Sequence, residues 1–218
     1  AQNFEAHYGL ADRDDRAEDV KSVRQCPGRG SILAGTRSDA AGSEVLVTRV
    51  DDIGAPLWQY AYRIGDLRSS AATAIVELRG GVGFALTGAS TDDQRRIFAL
   101  RIDCDGRPEW SRRLRNLGDE DRAVGYDILE VPNAFGGAPD LLVVGEETRP
   151  NGHTFGRIAR LTAAGAFVYD NAYMEPQTRP GIRFRAATLA PSASGALEHV
   201  VIAGSAGRHI DWRRRATL

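Results

Sequence analysis

The chain contains four short apolar runs that each end in glycine and recur about every 55 residues. They are SILAG ending at Gly35, FALTG at Gly88, LLVVG at Gly145 and VVIAG at Gly204. Runs this short and this uniformly apolar favour β-strands buried on both faces over helices. A repeat at this period is typical of folds that use one supersecondary unit several times.

Each of the first three runs is followed by an alternating strand and a turn, in the segments EVLVTRVDDIG, RIFALRIDCDG and FGRIARLTAAG. An aromatic residue follows each turn, and these are Trp58, Trp110 and Tyr169. The pattern predicts a hairpin with glycine in its turn, and then a strand that begins with an aromatic packing residue. A further strand opens each unit, in AEDVKSV, ATAIVEL, AVGYDIL and RAATLAP, so a complete unit has four strands.

These units predict an all-β fold, a four-bladed β-propeller with four-stranded antiparallel blades in a single domain over residues 1–218. The predicted blades span about residues 16–63, 71–115 and 123–174, and the fourth spans about 185–218 together with 3–9. The fourth unit lacks its last strand, and the N-terminal segment FEAHYG has the pattern of such a strand. We therefore expect the N-terminal strand to join the last blade and close the ring, which removes exposed sheet edges.

The units resemble the tandem β-propeller repeats of secreted bacterial proteins. The resemblance covers essentially the whole chain and is carried best by ILAGT with TRVDDIGAPLW and by LTGAS with LRIDCDGRPEW. The third unit departs from the pattern, with Thr162 in place of the aspartate and Tyr169 in place of the tryptophan. The resemblance implies a propeller fold and export, but such repeats carry no single activity, so it implies no particular function.

Composition limits the classes of partner. A formal charge of −1 with 42% hydrophobic and 26% charged residues is typical of a soluble globular protein with no general attraction for nucleic acid. No apolar run reaches the roughly 18–20 residues that span a bilayer, so we expect no membrane insertion.

Lys21 is the only lysine. Because the arginines are spread over the whole chain, a GC-rich genome explains them better than selection for anion recognition.

The sharpest polar features lie in the loops between successive units. These loops carry Asp12, Asp14, Asp15, Asp66, Asp119, Glu120 and Asp121, with Arg16, Arg122 and Arg185. In a propeller they would meet at one mouth of the channel, and we predict a ligand site formed by Asp14, Asp15, Arg16, Asp119, Asp121, Arg122 and Arg185. The alternative is a set of solvated turns in which the aspartates bind backbone N–H groups and pair with neighbouring arginines.

The sequence contains no catalytic, cofactor or metal motif, so we expect no catalytic residues, no cofactor and no metal. DDIG and DCDG, at residues 51–54 and 103–106, are better explained as hairpin turns than as calcium loops. Cys26 and Cys104 lack zinc-ligand spacing. They would lie in neighbouring blades on connections that emerge at the same face, so a disulfide is one prediction and two free thiols the other.

These features predict a non-catalytic secreted or periplasmic module, monomeric, that binds a protein or glycan partner through one face of the fold. The start of the chain, Ala1-Gln2, suits an end left by signal-peptide cleavage, although a trimmed chain would look the same. The alternative function is a glycan hydrolase or lyase that uses carboxylates at the channel mouth, which such enzymes need about 5–10 Å apart.

Overall fold

The computed structural model describes residues 13–65, 69–92, 94–133, 136–174, 181–190 and 199–206. Every regular element in these residues is a β-strand, and there are fourteen of them. The predicted all-β class is therefore confirmed. No helix long and apolar enough to cross a membrane occurs in these ranges.

The strands follow one another as antiparallel β-meanders. The first meander contains β1 (Asp14–Val23), β2 (Gly30–Asp39), β3 (Gly42–Val50) and β4 (Pro56–Tyr62). The second contains β5 (Ser69–Glu77), β6 (Phe84–Thr91), β7 (Arg95–Ile102) and β8 (Pro108–Arg113). The third contains β9 (Arg122–Val131), β10 (Asp140–Thr148), β11 (Thr154–Leu161) and β12 (Phe167–Tyr173). A hairpin of β13 (Arg183–Ala190) and β14 (His199–Ser205) follows.

The predicted closed four-bladed propeller is wrong for this structure. The strands form sheets of eight, four and two strands, because Ser43 of β3 and Ser69 of β5 pair in parallel and join the first two meanders. No closed ring of sheets occurs within the part of the chain that the structure describes. A repeat pattern specifies pairing between strands that are close in sequence, whereas the joining and closing of sheets depend on pairs between units. The segments assigned to ring closure, residues 3–9 and 209–218, lie outside the described residues.

The repeated glycines sit where two backbones come very close. Gly35, Gly88, Gly145 and Gly204 each pair with the first strand of their unit beside a β-bulge. A Cβ at Gly88 would lie 2.0 Å from the carbonyl oxygen of Ala71, and the other three would meet a carbonyl at 1.9–2.2 Å. Only glycine allows this approach, which explains why the apolar runs all end in it.

The core lies between successive units, so the central strands are buried on both faces. One cluster packs the first meander against Phe84 and Phe98 of the second. A second cluster packs the opposite face of the same strands, at Ala85 and Ile97, against the third meander. A third cluster joins the third meander to the β13–β14 hairpin. Burial of alternate residues on two different faces explains the continuous apolar runs in the sequence.

Polar contacts also repeat between units. Trp58 donates its indole N–H to the Cys104 carbonyl at 3.2 Å, and Trp110 donates to the Ala163 carbonyl at 3.0 Å. Both acceptors lie in the turn between the third and fourth strands of the following meander. The predicted packing role of these tryptophans is confirmed, and it includes a hydrogen bond to the next unit.

The predicted disulfide is confirmed. Cys26, between β1 and β2, is bonded to Cys104, between β7 and β8, with 5.6 Å between the Cα atoms. The bond links the first two meanders across a sequence separation of 78. The DCDG segment is a turn, in which Asp103 Oδ1 accepts the backbone N–H groups of Asp105 and Arg107.

Candidate functional site

An open groove of about 460 Å³ lies beside β7, β8 and the segment that leads from β8 to β9. It is lined by Gln94, Arg96, Ser111, Arg112, Arg113, Leu114, Arg115, Asn116, Gly118 and Asp119. Four of these ten residues are arginines, and the single large apolar residue, Leu114, is buried in the core behind them. The groove is therefore a concave surface whose lining is polar and rich in guanidinium groups.

Strand register brings two of the arginines, Arg96 and Arg113, to one face. Phe98 of β7 pairs with Arg113 of β8, and the Leu114 N–H continues the ladder to the Ile97 carbonyl at 2.9 Å. Because side chains alternate along a strand, Arg96 and Arg113 share the face of Phe98, and Arg115 follows two residues after the end of β8. Leu114 points to the opposite face, into the core of the second and third meanders.

Two of these arginines are held by polar neighbours. Arg96 donates from Nε and Nη2 to the Gln94 side-chain oxygen at 3.0 and 2.6 Å. Arg113 donates from Nη1 to Asp92 Oδ2 at 2.7 Å. A hydrogen bond from the Gln94 backbone N–H lowers the pKa of Asp92, and Arg113 and Arg96 lower it further. Asp92 is thus an ionised anchor for Arg113 at neutral pH.

Arg112 and Arg115 complete the positive lining. Arg112 lies 5.9 Å from the ring centre of Trp110 and donates from Nε to the Gly165 carbonyl at 3.0 Å. This contact fixes Arg112 against the third meander. Arg115 is exposed, and its backbone carbonyl accepts a hydrogen bond from Arg157 at 3.1 Å. Arg115 therefore has a fixed backbone and a side chain that reaches solvent.

A buried ionic network anchors the wall of the groove. Arg157 is hydrogen-bonded to Glu147 and, at 2.5 Å, to Asp170, and the side chains of Arg157 and Glu147 are almost completely buried. Glu147 Oε1 also accepts the backbone N–H of Leu117 at 2.5 Å. Asn116 adds a bond of 2.7 Å to the Asp121 carbonyl. The 114–121 segment is therefore tied to the third meander and has a fixed position beside β8.

The charge in the groove is unbalanced. Its lining supplies four guanidinium groups and one carboxylate, Asp119, while Asp92 stands beside Arg113. Counted over the lining residues and Asp92, this leaves two positive charges in excess. Like charges held close together repel one another, and an anion between them removes that repulsion.

The structure distributes the ligand-site residues predicted from the sequence over three separate groups of contacts. In the first meander, Asp15 forms a bidentate pair with Arg37 at 2.9 Å, Arg16 pairs with Glu18 at 2.7 Å, and Asp14 is exposed. All three residues lie on β1 and not in a turn, and the Asp15–Arg37 pair is largely buried. Asp12 and Asp66 lie outside the described residues.

The second group lies at the start of the third meander. Asp119 lines the arginine groove, and its carbonyl accepts a hydrogen bond from Gln94. Asp121 is 3% exposed, and its Oδ2 lies 3.7 Å from Arg149 Nε. Arg122 is exposed at the first position of β9. Of the residues predicted to form the ligand site, Asp119 is the one that lines the groove.

The third group surrounds Arg185 on β13. Arg185 lies over the Tyr126 ring at 3.8 Å and 3.3 Å from Glu146. Burial raises the pKa of Tyr126, and the Glu146 carboxylate, which accepts its hydroxyl at 3.0 Å, raises it further. Arg185 therefore links the last hairpin to the third meander.

Sequence reasoning missed Arg96, Arg112, Arg113 and Arg115. The signal was present, since QRRIF and WSRRLRN place arginines at the start of β7 and around the end of β8, which meet at the open end of one hairpin. An even distribution of arginines along the chain hid their convergence in space.

Comparisons with known proteins assign no family. No protein-family model matches the chain, and no curated protein matches it in sequence.

Proposed function

We propose that this protein is a non-catalytic binding module, secreted or periplasmic, that recognises an acidic glycan in the arginine-lined groove. The observation that carries the proposal is that four arginines, Arg96, Arg112, Arg113 and Arg115, line one groove in which positive charge is in excess. Guanidinium groups bind carboxylates, sulfates and phosphates in forked geometry, so an anionic ligand complements this surface.

The size and polarity of the groove favour a glycan over a protein partner. Its volume of about 460 Å³ lies within the range of sites for small ligands or short polymer segments. Protein–protein interfaces bury about 800 Å² on each partner and have a core rich in aromatic and apolar residues. The groove offers guanidinium, amide and hydroxyl groups instead, which suit the hydroxyl and acidic groups of a sugar chain.

The carboxylates predicted from the sequence do not support the alternative of a glycan hydrolase. Asp15 is occupied by Arg37, and Asp121 is buried beside Arg149. A general acid must reach the leaving oxygen, and its partner carboxylate must reach water or the sugar ring. Within the groove, Asp119 is the carboxylate that lines the surface, opposite an excess of arginines. This composition suits binding of an anion and not acid–base chemistry.

The disulfide supports a location outside the cytoplasm. Structural disulfides persist in oxidising compartments, and the Cys26–Cys104 bond joins two distant turns that carry no redox motif. Acidic polysaccharides are exposed in those same compartments, at cell surfaces and in extracellular matrices.

The proposal is tested by binding to immobilised polymers of one backbone, namely neutral dextran, carboxymethyl dextran and dextran sulfate, with double-stranded DNA as a further probe. We expect binding to at least one anionic dextran, none to neutral dextran, and a loss of affinity as salt is raised from 50 to 500 mM, because salt screens exposed charges. Binding to DNA more tightly than to every dextran, or no binding to any anionic dextran, would overturn it.

A further inference from the structure

We infer that the groove contains a subsite for a tetrahedral oxyanion ester, a sulfate or phosphate group on the ligand, held between Arg96, Arg113 and Arg115. This inference rests on the proposed function and names the group that is recognised. The three arginines line the same groove, and Arg96 and Arg113 lie on the same face of the β7–β8 hairpin.

The backbone positions these arginines at the corners of a small triangle. Arg113 and Arg115 are two residues apart, which separates their Cα atoms by about 6–7 Å along an extended chain. Phe98 pairs with Arg113, and the Ile97 carbonyl accepts the Leu114 N–H. Arg96, the next residue back along β7, therefore lies on the neighbouring strand close to Arg115. Neighbouring strands are about 5 Å apart. Three guanidinium groups with this spacing can approach one anion from three directions.

Existing hydrogen bonds orient the guanidinium groups and leave donors for a ligand. Gln94 accepts from Nε and Nη2 of Arg96, and the Nη1 group of that arginine makes no hydrogen bond to a described residue. Asp92 accepts from Nη1 of Arg113, while Nε and Nη2 are likewise without a partner among the residues described. The Arg115 side chain is exposed, so its guanidinium fork is accessible to a ligand. Because two of the arginines are held before binding, less side-chain entropy is lost when the anion arrives.

The number of donors favours a tetrahedral group over a carboxylate. A carboxylate has two oxygens in one plane, and a single bidentate arginine satisfies it. A sulfate or phosphate ester presents three terminal oxygens that point in different directions, and a phosphate monoester carries about −1.5 to −2 charges at pH 7. Three guanidinium groups, with Asp92 neutralising one of them, match such a group in geometry and in charge.

The test compares dextran sulfate, dextran phosphate and carboxymethyl dextran of equal length and equal charge density, each titrated into the intact protein by calorimetry. We expect the sulfated or the phosphorylated polymer to bind at least about tenfold more tightly than the carboxylated one. The preferred ester identifies the source of the oxyanion, and a preference for either one supports the inference. Equal binding of all three polymers would overturn the subsite and leave the proposed function standing, whereas binding of none would overturn both.

Variants that keep the positive charge test the subsite without a large effect on folding. Arg113→Lys and Arg115→Lys retain the positive charge but lose the fork, so we expect each to reduce the preference for the ester over the carboxylate by about threefold or more. The matched control is Arg63→Lys. Arg63 follows Trp58 in the first meander at the same distance along the chain at which Arg115 follows Trp110 in the second. Unchanged preference in both groove variants, with unchanged thermal unfolding, would contradict the inference.

Discussion

Glu77 at the end of β5 accepts the backbone N–H of Cys26 at 2.8 Å, and so holds the half of the disulfide that lies in the first meander. The same carboxylate accepts the N–H groups of Arg24 and Gln25 at 2.9 and 2.8 Å. One side chain thus satisfies three consecutive donors on a connection that has no strand partner of its own. The disulfide and this carboxylate together join the first two meanders.

Glu77→Gln removes the charge and one of the two acceptor oxygens, so the three N–H groups can no longer all be satisfied. We expect the free energy of unfolding to fall by about 1.5–3 kcal/mol, measured by urea denaturation with the disulfide intact. The control is Glu44→Gln, whose carboxylate pairs with an exposed arginine at the surface. That change should cost less than about 1 kcal/mol. Equal losses in the two variants would show that Glu77 has no special role.

Replacing both cysteines by serine should lower the free energy of unfolding by about 2–5 kcal/mol, because the bond closes a long loop and restricts the unfolded chain. The two states are compared by denaturant unfolding of the oxidised protein and of the double variant. Adding a reductant to the wild-type protein should shift its unfolding midpoint towards that of the variant. An unchanged midpoint after complete reduction would contradict the stabilising role of the bond.

Gly88→Ala should be among the most destabilising single changes in the chain. Its Cβ would lie 2.0 Å from the Ala71 carbonyl oxygen, so β5 and β6 would have to separate at the bulge, at a cost of about 3 kcal/mol or more. Gly152→Ala is the matched control. Gly152 has a φ of +80° and nothing within 4 Å of an added Cβ, so its cost is backbone strain of about 1 kcal/mol. Thermal unfolding of the two variants shows which change lowers stability more. A smaller loss of stability in Gly88→Ala than in Gly152→Ala would contradict the close approach of the two backbones at Gly88.

The β9–β13 contact predicts a pH dependence. Asp127 Oδ2 accepts the Ala187 N–H at 2.8 Å, and burial raises the pKa of this carboxyl above its ordinary value. An aspartate whose pKa is higher in the folded state opposes folding when it is ionised. That penalty is fully present above the raised pKa, and it disappears as the pH falls from there to the unfolded value of about 3.9.

The stability of the wild-type protein relative to Asp127→Asn should therefore rise as the pH is lowered through this window. Denaturant unfolding of both proteins at a series of pH values measures the difference, in which the other titrating groups cancel. A difference that stayed constant or fell on acidification would contradict the raised pKa.

Much of the local structure follows from the sequence. The strands around the four apolar runs depend on residues a few positions apart, and the glycine that ends each run is explained by a carbonyl about 2 Å from where a Cβ would stand. The disulfide was one of the two outcomes predicted for the cysteines, because both lie in connections of neighbouring units. The pairing of Ser43 with Ser69 was not predictable, since a single bridge between units decides which meanders share a sheet and leaves no periodic pattern.

The groove was harder to predict than the fold. Arg96 and Arg113 come together through the register of β7 and β8, which a sequence search for motifs does not use. The wall of the groove depends on Glu147, which binds the Leu117 N–H from thirty positions further along the chain. Predictions based on acidic loops instead selected residues such as Asp15, whose charge is already satisfied by Arg37.

The most direct test of the account is calorimetric titration of dextran sulfate into the wild-type protein, Arg113→Ala, Arg115→Ala and the control Arg63→Ala. Each groove variant loses charge-assisted hydrogen bonds to the ligand, so we predict about a tenfold or greater loss of affinity in each. Arg63→Ala, which removes an exposed arginine paired with Glu44 outside the groove, should bind within about twofold of the wild-type protein. Equal affinity of all four folded proteins, or a loss confined to Arg63→Ala, would contradict recognition of an acidic glycan in the arginine-lined groove.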